Sequence, residues 1–495
     1  VTDVLTSAIV ILRYYLRGIP MWKTVIILFT ILVSVLGSIL FWQWNAYSNQ
    51  DELPRGKQLE EANQQITVET KGELLQITQQ VSGLSTKQEY RVVFPDAIKE
   101  WNCINKDGDS CNSNDENPST FLAEDGFLTV KYSVHPNKGS FLLNDWIGRF
   151  PDVSIIKSSI EIIDSTRREG TWVAGIPLKG FEKLKNIDYY VFEGSENSSS
   201  LFWLSEPLSN KKARENMEYY LSDSSKSPSY KLKALENIPN LPYLSVIFTN
   251  RYPETNGEGI IIAKPGIEDK VLERKIIYNY FAGKLPYLPL EEKWLVDCLT
   301  SLLTNQDSKV NKGKELIQDL KGNFLNEELN QFLDEIIQDE SVLETKDLDR
   351  FLGSIKGKET DFFTVNKNET TKFIPLYFYD PKKVLVNGKV QKDIEAVYVQ
   401  NNRYFPFAET MTALGYDVKL LSNKESLLLS KGNNSYRFYA DQNIFIYNEE
   451  DYGLFEKPLT VLNGKIYIKS QWLQSIFKVS INEDNNQLTL SMLFG

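Results

Sequence analysis

Nineteen consecutive residues, Thr24 to Trp42 (TVIILFTILVSVLGSILFW), carry no charge. At about 1.5 Å per residue, a helix of that length crosses the hydrocarbon core of a bilayer. A helix that is apolar on every face must be enclosed by lipid or by a large protein core; lipid is the expectation here. Arg13, Arg17 and Lys23 precede the run, which places residues 1–23 in the cytoplasm and the bulk of the chain outside the cell. A cleaved signal peptide shares the basic flank and the apolar run. No small-residue cleavage pattern follows, however; Gln43-Trp44-Asn45-Ala46-Tyr47 instead sets aromatics at the membrane exit. A single-pass signal anchor over 24–42 is therefore expected, and translation starting at Met21 would leave almost no cytoplasmic tail.

The rest of the chain reads as folded protein. Its 495 residues suggest about three domains, and 42% hydrophobic with 24% charged residues is ordinary for globular structure. The net charge is −11; residues 1–23 carry +2, which leaves −13 on the remainder. Such an acidic exterior argues against a nucleic-acid partner, which needs basic surface to neutralise phosphates. It suits a protein that stays soluble beside a membrane. Cys103 and Cys111 bracket a polar loop and are a candidate disulfide in an oxidising exterior, while Cys298 on a predicted helix is expected to be buried and inert.

The expected fold class is multidomain α+β. Residues 43–64 are polar and read as a membrane-proximal linker. Over 65–204, short alternating runs such as Ile66-Thr-Val-Glu-Thr, Leu74-Leu-Gln-Ile-Thr and Tyr189-Tyr-Val-Phe predict a β-sandwich. Residues 205–355 read as α/β: a polar helix over Asn210–Leu221, strands at Leu244–Phe248 and Gly259–Ala263, then helices. The clearest helix is the stripe Leu325, Leu329, Phe332, Leu333, Ile336, Ile337. Residues 356–379 read as a second linker. Over 380–495 strands return with an internal echo, Asn402–Val418 answered by Gly464–Val479, each a strand, a short helix and a further strand.

One pair of predicted helices carries a layout of its own. Leu272-Glu-Arg-Lys-Ile-Ile-Tyr-Asn-Tyr-Phe-Ala-Gly283 is followed by Trp294-Leu-Val-Asp-Cys-Leu-Thr-Ser-Leu-Leu303. It resembles the zinc-binding helices of gluzincin peptidases of the aminopeptidase-N type. Those enzymes read H-E-x-x-H, then W-L-x-E-G-L, with a third ligand 19 positions beyond the second His; Tyr278 to Asp297 spans those 19 positions. The resemblance implies a thermolysin-like α/β domain over 205–355, preceded by a saddle-like β domain, with Arg251–Ile262 at the substrate-edge strand. The ligand slots, however, hold Arg274, Tyr278 and Asp297, and the catalytic Glu slot holds Lys275. These are degenerate zinc-site positions. Arg cannot shed its proton at accessible pH and would repel the cation, so no bound metal, no cofactor and no catalytic residue is expected. Arg274 and Tyr278 share a helix face. The expectation is that Arg274 pairs with Asp297, with the Tyr278 hydroxyl bonded to the same carboxylate.

The C-terminal portion resembles the copper amine oxidase N-terminal-like domain, or stalk domain. The residues that carry this are Val384-Leu-Val-Asn-Gly-Lys389, Arg403-Tyr-Phe-Pro-Phe407, Ala413-Leu-Gly-Tyr-Asp-Val418 and Asn463-Gly-Lys-Ile-Tyr-Ile468. The second repeat lacks the Pro and the Leu-Gly. Residues 380–495 contain no His, so the resemblance implies an accessory module that binds or spaces, not copper chemistry. It also implies a bacterial, Gram-positive cell envelope.

Other chemistry finds little footing. The one histidine, His135, lies in a loop-like Val134-His-Pro136 with no nucleophile motif around it. Ser154-Ile-Ile-Lys157 fits S-x-x-K but sits in a strand-like run. The loop Asn105–Glu116 sets oxygens at EF-hand-like positions, with Ser110 where Gly belongs, and reads more simply as a polar hairpin tip. The expected function is a membrane-anchored extracytoplasmic binding or scaffold protein with an inactive peptidase-like domain. Its expected partners are a cell-wall polymer, a peptide or an envelope protein. The alternatives are a metal-independent hydrolase acting on wall polymers or peptides, and a purely structural surface spacer.

Overall fold

A large β-sheet begins the folded part of the chain. In this computed structural model the described residues are 59–96, 98–105, 107–111, 119–195, 199–222, 228–421 and 426–493. The segments expected as cytoplasmic tail and membrane span (1–42), and most of the 43–64 linker, lie outside them. Among the described residues no helix is long and apolar enough to cross a membrane. Contacts gather Ala62–Pro151 and Ile155–Gly495 into one unit.

The large sheet has seven strands, in the order 178–183, 188–194, 153–164, 60–71, 74–82, 127–134 and 101–104. Along Leu74–Ser82 every second residue is buried, the signature of a sheet with one covered face. Buried Gln79 bridges outward from this sheet, donating to Gln64 Oε1 and to Gly148 O, both at 2.7 Å. A three-stranded sheet (141–143, 201–204, 171–174) is tied to the large one by Trp172 Nε1, which donates to Asp164 Oδ2 at 2.9 Å.

The central region is a mixed five-stranded sheet with helices. Its strands are β1 (Ser209–Arg214), β2 (Met217–Leu221), β3 (Leu244–Phe248), β4 (Thr255–Gly257) and β5 (Ile260–Ala263), in the order β1-β2-β3-β5-β4. The pairs β2·β3 and β3·β5 are parallel, and β3 and β5 are buried at every residue. That requires cover on both faces. On one face Val246, Phe248 and Ile261 join the helical core. On the other, Ile247, Ile260 and Ile262 pack against Val173, Phe202 and Leu204 of the three-stranded sheet. The expected boundary at 204/205 is thus a packed sheet-on-sheet interface.

The helix expected over Asn210–Leu221 is instead the hairpin β1–β2. Its helix-forming Lys, Arg and Glu residues are overridden because Met217, Tyr219 and Leu221 alternate into the core beside β3. Six helices follow: α1 (Asp269–Lys284), α2 (Trp294–Thr304), α3 (Asn311–Asn323), α4 (Asn326–Gln338), α5 (Thr345–Lys356) and α6 (Phe362–Asn366). Of the stripe read from the sequence, Leu329, Phe332, Leu333, Ile336 and Ile337 are buried on α4, whereas Leu325 precedes the helix as its exposed N-cap residue. Residues 356–379, read as a linker, are packed structure. Phe362, Phe363, Leu376 and Phe378 enter the same core, and the Leu376 N–H donates to Asp319 Oδ2 at 2.6 Å.

The C-terminal module carries the echo in its architecture. Strand 402–406, α7 (Phe407–Ala413) and strand 417–420 correspond to strand 465–469, α8 (Ser470–Phe477) and strand 479–483. The two leading strands pair antiparallel, Phe405 opposite Ile468, so the repeats meet edge to edge in one sheet. Asn387-Gly388 and Asn463-Gly464 have φ of 50°, 80°, 45° and 75° and close two-residue hairpins, a backbone that suits Asn-Gly.

Candidate functional site

Arg274 sits in the second turn of α1 and Asp297 in the first turn of α2, both on faces turned into the core. Their relative exposures are 8% and 6%, so this is a buried ion pair. Arg274 Nη2 donates to Asp297 Oδ1 at 2.5 Å and to Ser301 Oγ at 2.8 Å. Asp297 Oδ2 accepts from Ser308 Oγ at 2.7 Å and from the Lys309 N–H at 2.8 Å. Both carboxylate oxygens are satisfied, as a buried charge demands.

The expected Tyr278 bond does not form. Ser308 and the Lys309 amide, from the α2–α3 connection, take the oxygen that a phenol would have needed. The half-buried Tyr278 hydroxyl has its pKa raised, first by burial and then by Asp297, so it stays protonated. Lys275 leaves the pair and meets Glu254 Oε2 at 3.1 Å, just before the edge strand β4. Asn279 Nδ2 donates to Gly257 O at 2.8 Å and fastens α1 to that strand.

The connection from α2 to α3 is held close by a glycine that sequence reasoning missed. A Cβ on Gly313 would collide with Ser308 Oγ and stand 2.9 Å from Cys298 Sγ, so only Gly allows α3 this near. Cys298 is fully buried, and burial followed by the neighbouring Asp297 pushes its thiol far up, which leaves it inert.

A catalytic zinc takes three ligands from neutral imidazole, thiolate and carboxylate. The side chains at the matching positions are a guanidinium, a phenol and a carboxylate already bonded through both oxygens. They do not fit the metal. Among the described residues no group of three or more His, Cys, Asp or Glu is placed to hold an ion.

The remaining sequence candidates scatter. Cys103 and Cys111 form a disulfide with their Cα atoms 5.3 Å apart. In the loop that follows Cys103, Asn105 Oδ1 accepts the Asp107 and Asp109 N–H groups at 3.0 and 2.8 Å; residues 106 and 112–118 of the EF-hand-like stretch lie outside the described residues. Ser154 and Lys157 lie on one strand whose alternation breaks at Ile156–Lys157, and exposed Lys157 turns to Glu193 Oε2 at 3.9 Å. His135 is exposed.

In the C-terminal module the motif residue Arg403 is structural. Its Nε donates to Asp380 Oδ2 at 2.9 Å, Nη1 to Glu483 Oε2 at 2.8 Å and Nη2 to the Tyr398 hydroxyl. Arg403 and Lys382 hold the Glu483 carboxyl down at about 2. One arginine thus joins the start of the module to its second repeat.

Residues 385–492 match the copper amine oxidase N-terminal domain family. Among solved structures, the chain is similar to an M1 zinc metallopeptidase mutant from Deinococcus radiodurans at 12% identity. That match covers 65% of this chain and 96% of that one, with a TM-score of 0.45. A second structure of the M1 zinc metallopeptidase from Deinococcus radiodurans aligns at 11% identity over 61% of this chain and 92% of that one, with a TM-score of 0.43. No curated protein matches the chain.

Proposed function

We propose that this is a membrane-anchored extracytoplasmic binding or scaffold protein of the bacterial cell envelope, whose peptidase-like helix pair no longer does metal chemistry. The observation that carries this is the Arg274–Asp297 ion pair, closed at 2.5 Å at the positions where a gluzincin would hold its metal. With Lys275 engaged by Glu254 at the general-base position, neither a Lewis acid nor a base is in place to activate water. The uncharged run 24–42 with its basic flank supports the anchor, and the C-terminal module supports a role in binding or spacing at the surface.

Metal analysis of the purified full chain, with a broad peptidase and glycan-hydrolase screen, tests the reading. The expected result is far less than one zinc per chain and no turnover. One tightly bound zinc per chain, or turnover lost in Asp297→Ala, overturns it.

A further inference from the structure

Four stretches far apart in sequence meet around a groove of about 420 Å3 in the β region. They are the turn at Gly72–Glu73, residues 136–139, the loop Ser165–Glu169, and the strand end at Trp203 with Ser205. Arg167 stands in this groove, its guanidinium carbon 5.0 Å from the Phe141 ring centre and 5.1 Å from that of Trp203.

What distinguishes Arg167 is its lack of partners. Among the described residues its side chain makes one long hydrogen bond, from Nη2 to Glu73 O at 3.4 Å, and its buried Nε has none. Asp164, the nearest carboxylate by sequence, is already spent. It accepts from Thr70 Oγ1 and from the Thr166 and Arg167 backbone N–H groups, and from Trp172 Nε1. The neighbouring Arg168 shows the usual arrangement, donating to Asp188, Lys185 O and Leu184 O at 2.7–3.0 Å. Burial pulls the Arg167 pKa down, with Asp164 and Glu73 offsetting this from a distance. A guanidinium with most of its donors idle, set beside two rings in a walled groove, is matched to an incoming carboxylate that can take two parallel bonds.

The rest of the wall says what carries that carboxylate. Trp203 and Pro136 are its apolar members; Lys138 adds a second cation, 3.4 Å from Glu73 Oε1, and the hydroxyls of Thr166 and Ser205, bonded to Gly72 O and Ser140 Oγ, still present acceptor lone pairs. Such a lining suits a small body rich in hydroxyls and gives no pocket to an apolar side chain. The volume falls at the low end of small-molecule sites, enough for one sugar ring. We propose that this groove binds a carboxylated sugar, with Arg167 taking the carboxylate and Glu73, Thr166 and Ser205 taking ring hydroxyls. The inference names a ligand class for the binding role proposed above. Its residues are all in the β region, so it does not depend on the state of the helix pair.

The test is calorimetric titration of the full chain with D-glucuronate, its neutral analogue D-glucuronamide, acetate, and oligogalacturonate. Glucuronate or oligogalacturonate should saturate one site, with glucuronamide and acetate at least tenfold weaker. Tighter binding of the oligomer assigns the site to a polymer residue, and tighter binding of the monomer to a free sugar acid. Arg167→Gln should weaken the acid at least tenfold. Ser205→Trp, which puts an indole into the groove, should do the same with an unchanged melting temperature. No saturable binding of either acid, equal binding of glucuronamide or acetate, or unaltered binding in both variants overturns the proposal. A failure here, alongside a zinc-free and inactive chain, removes the sugar site and leaves the earlier reading in place.

Discussion

Arg274 in the helical core is buried and Arg167 in the β region is half-buried, and they are spent differently. The first is locked to Asp297 and Ser301, and that carboxylate is itself held by the next connection. The second has two aromatic rings for company and one long hydrogen bond. A buried cation whose partners are complete belongs to the architecture; a half-buried one whose donors face a groove has room for the ligand proposed above.

The largest effect should come from breaking the complete pair. Arg274→Ala leaves Asp297 buried without its cation and should cost about 3–5 kcal/mol in chemical denaturation. The double replacement Arg274→Met with Asp297→Leu should recover most of that loss, because apolar residues avoid the desolvation of both charges. A small loss for Arg274→Ala would mean that the pair is not structural.

Next comes a buried carboxyl held by backbone N–H groups rather than by an arginine. Asp349 accepts the Phe363 and Thr364 N–H groups at 2.6 and 3.0 Å, and burial pushes its pKa up to about 7. Its folded pKa lies above the unfolded value, so the folded state binds the extra proton between the two. Stability should therefore fall as pH rises from about 4 to about 7, by roughly 4 kcal/mol at most, and then level off. Thermal melts across that range should show this slope, and Asp349→Asn should flatten it. A slope that persists in Asp349→Asn assigns it to other groups.

The smallest effect should be at the idle arginine. Arg167→Gln gives up two cation–ring contacts and should cost no more than about 1–2 kcal/mol in the same denaturation experiment. A loss as large as that of Arg274→Ala would erase the contrast and make Arg167 a structural residue.

Sequence periodicity located the elements that matter here. The α1–α2 pair and the Arg274–Asp297 contact are what the gluzincin resemblance implies; the four-residue step by itself gives only the helix face that Arg274 shares with Tyr278. The Tyr278 bond did not follow, because its competitors, Ser308 and the Lys309 amide, come from a connection whose path no spacing encodes. Helix propensity misread Asn210–Leu221, where pairing with β3 outweighs local preference. Composition misread residues 356–379, whose polar stretch hides Phe362 and Phe363 at a short helix. The groove was invisible for a different reason. Its walls come from four stretches, each unremarkable alone, and only the fold brings them to Arg167.

The passage from helices to C-terminal module is also a question of load. The Tyr379 N–H donates to Glu359 O at 2.8 Å, Phe378 packs edge-on against Phe324, and strand Phe378–Tyr379 pairs with Val397–Tyr398 of the module. A pull on the module has no slack to take up at this joint. Tension would pass straight into the helical core, so the two would move as one lever, and any load on the module would be felt at the sheets behind it.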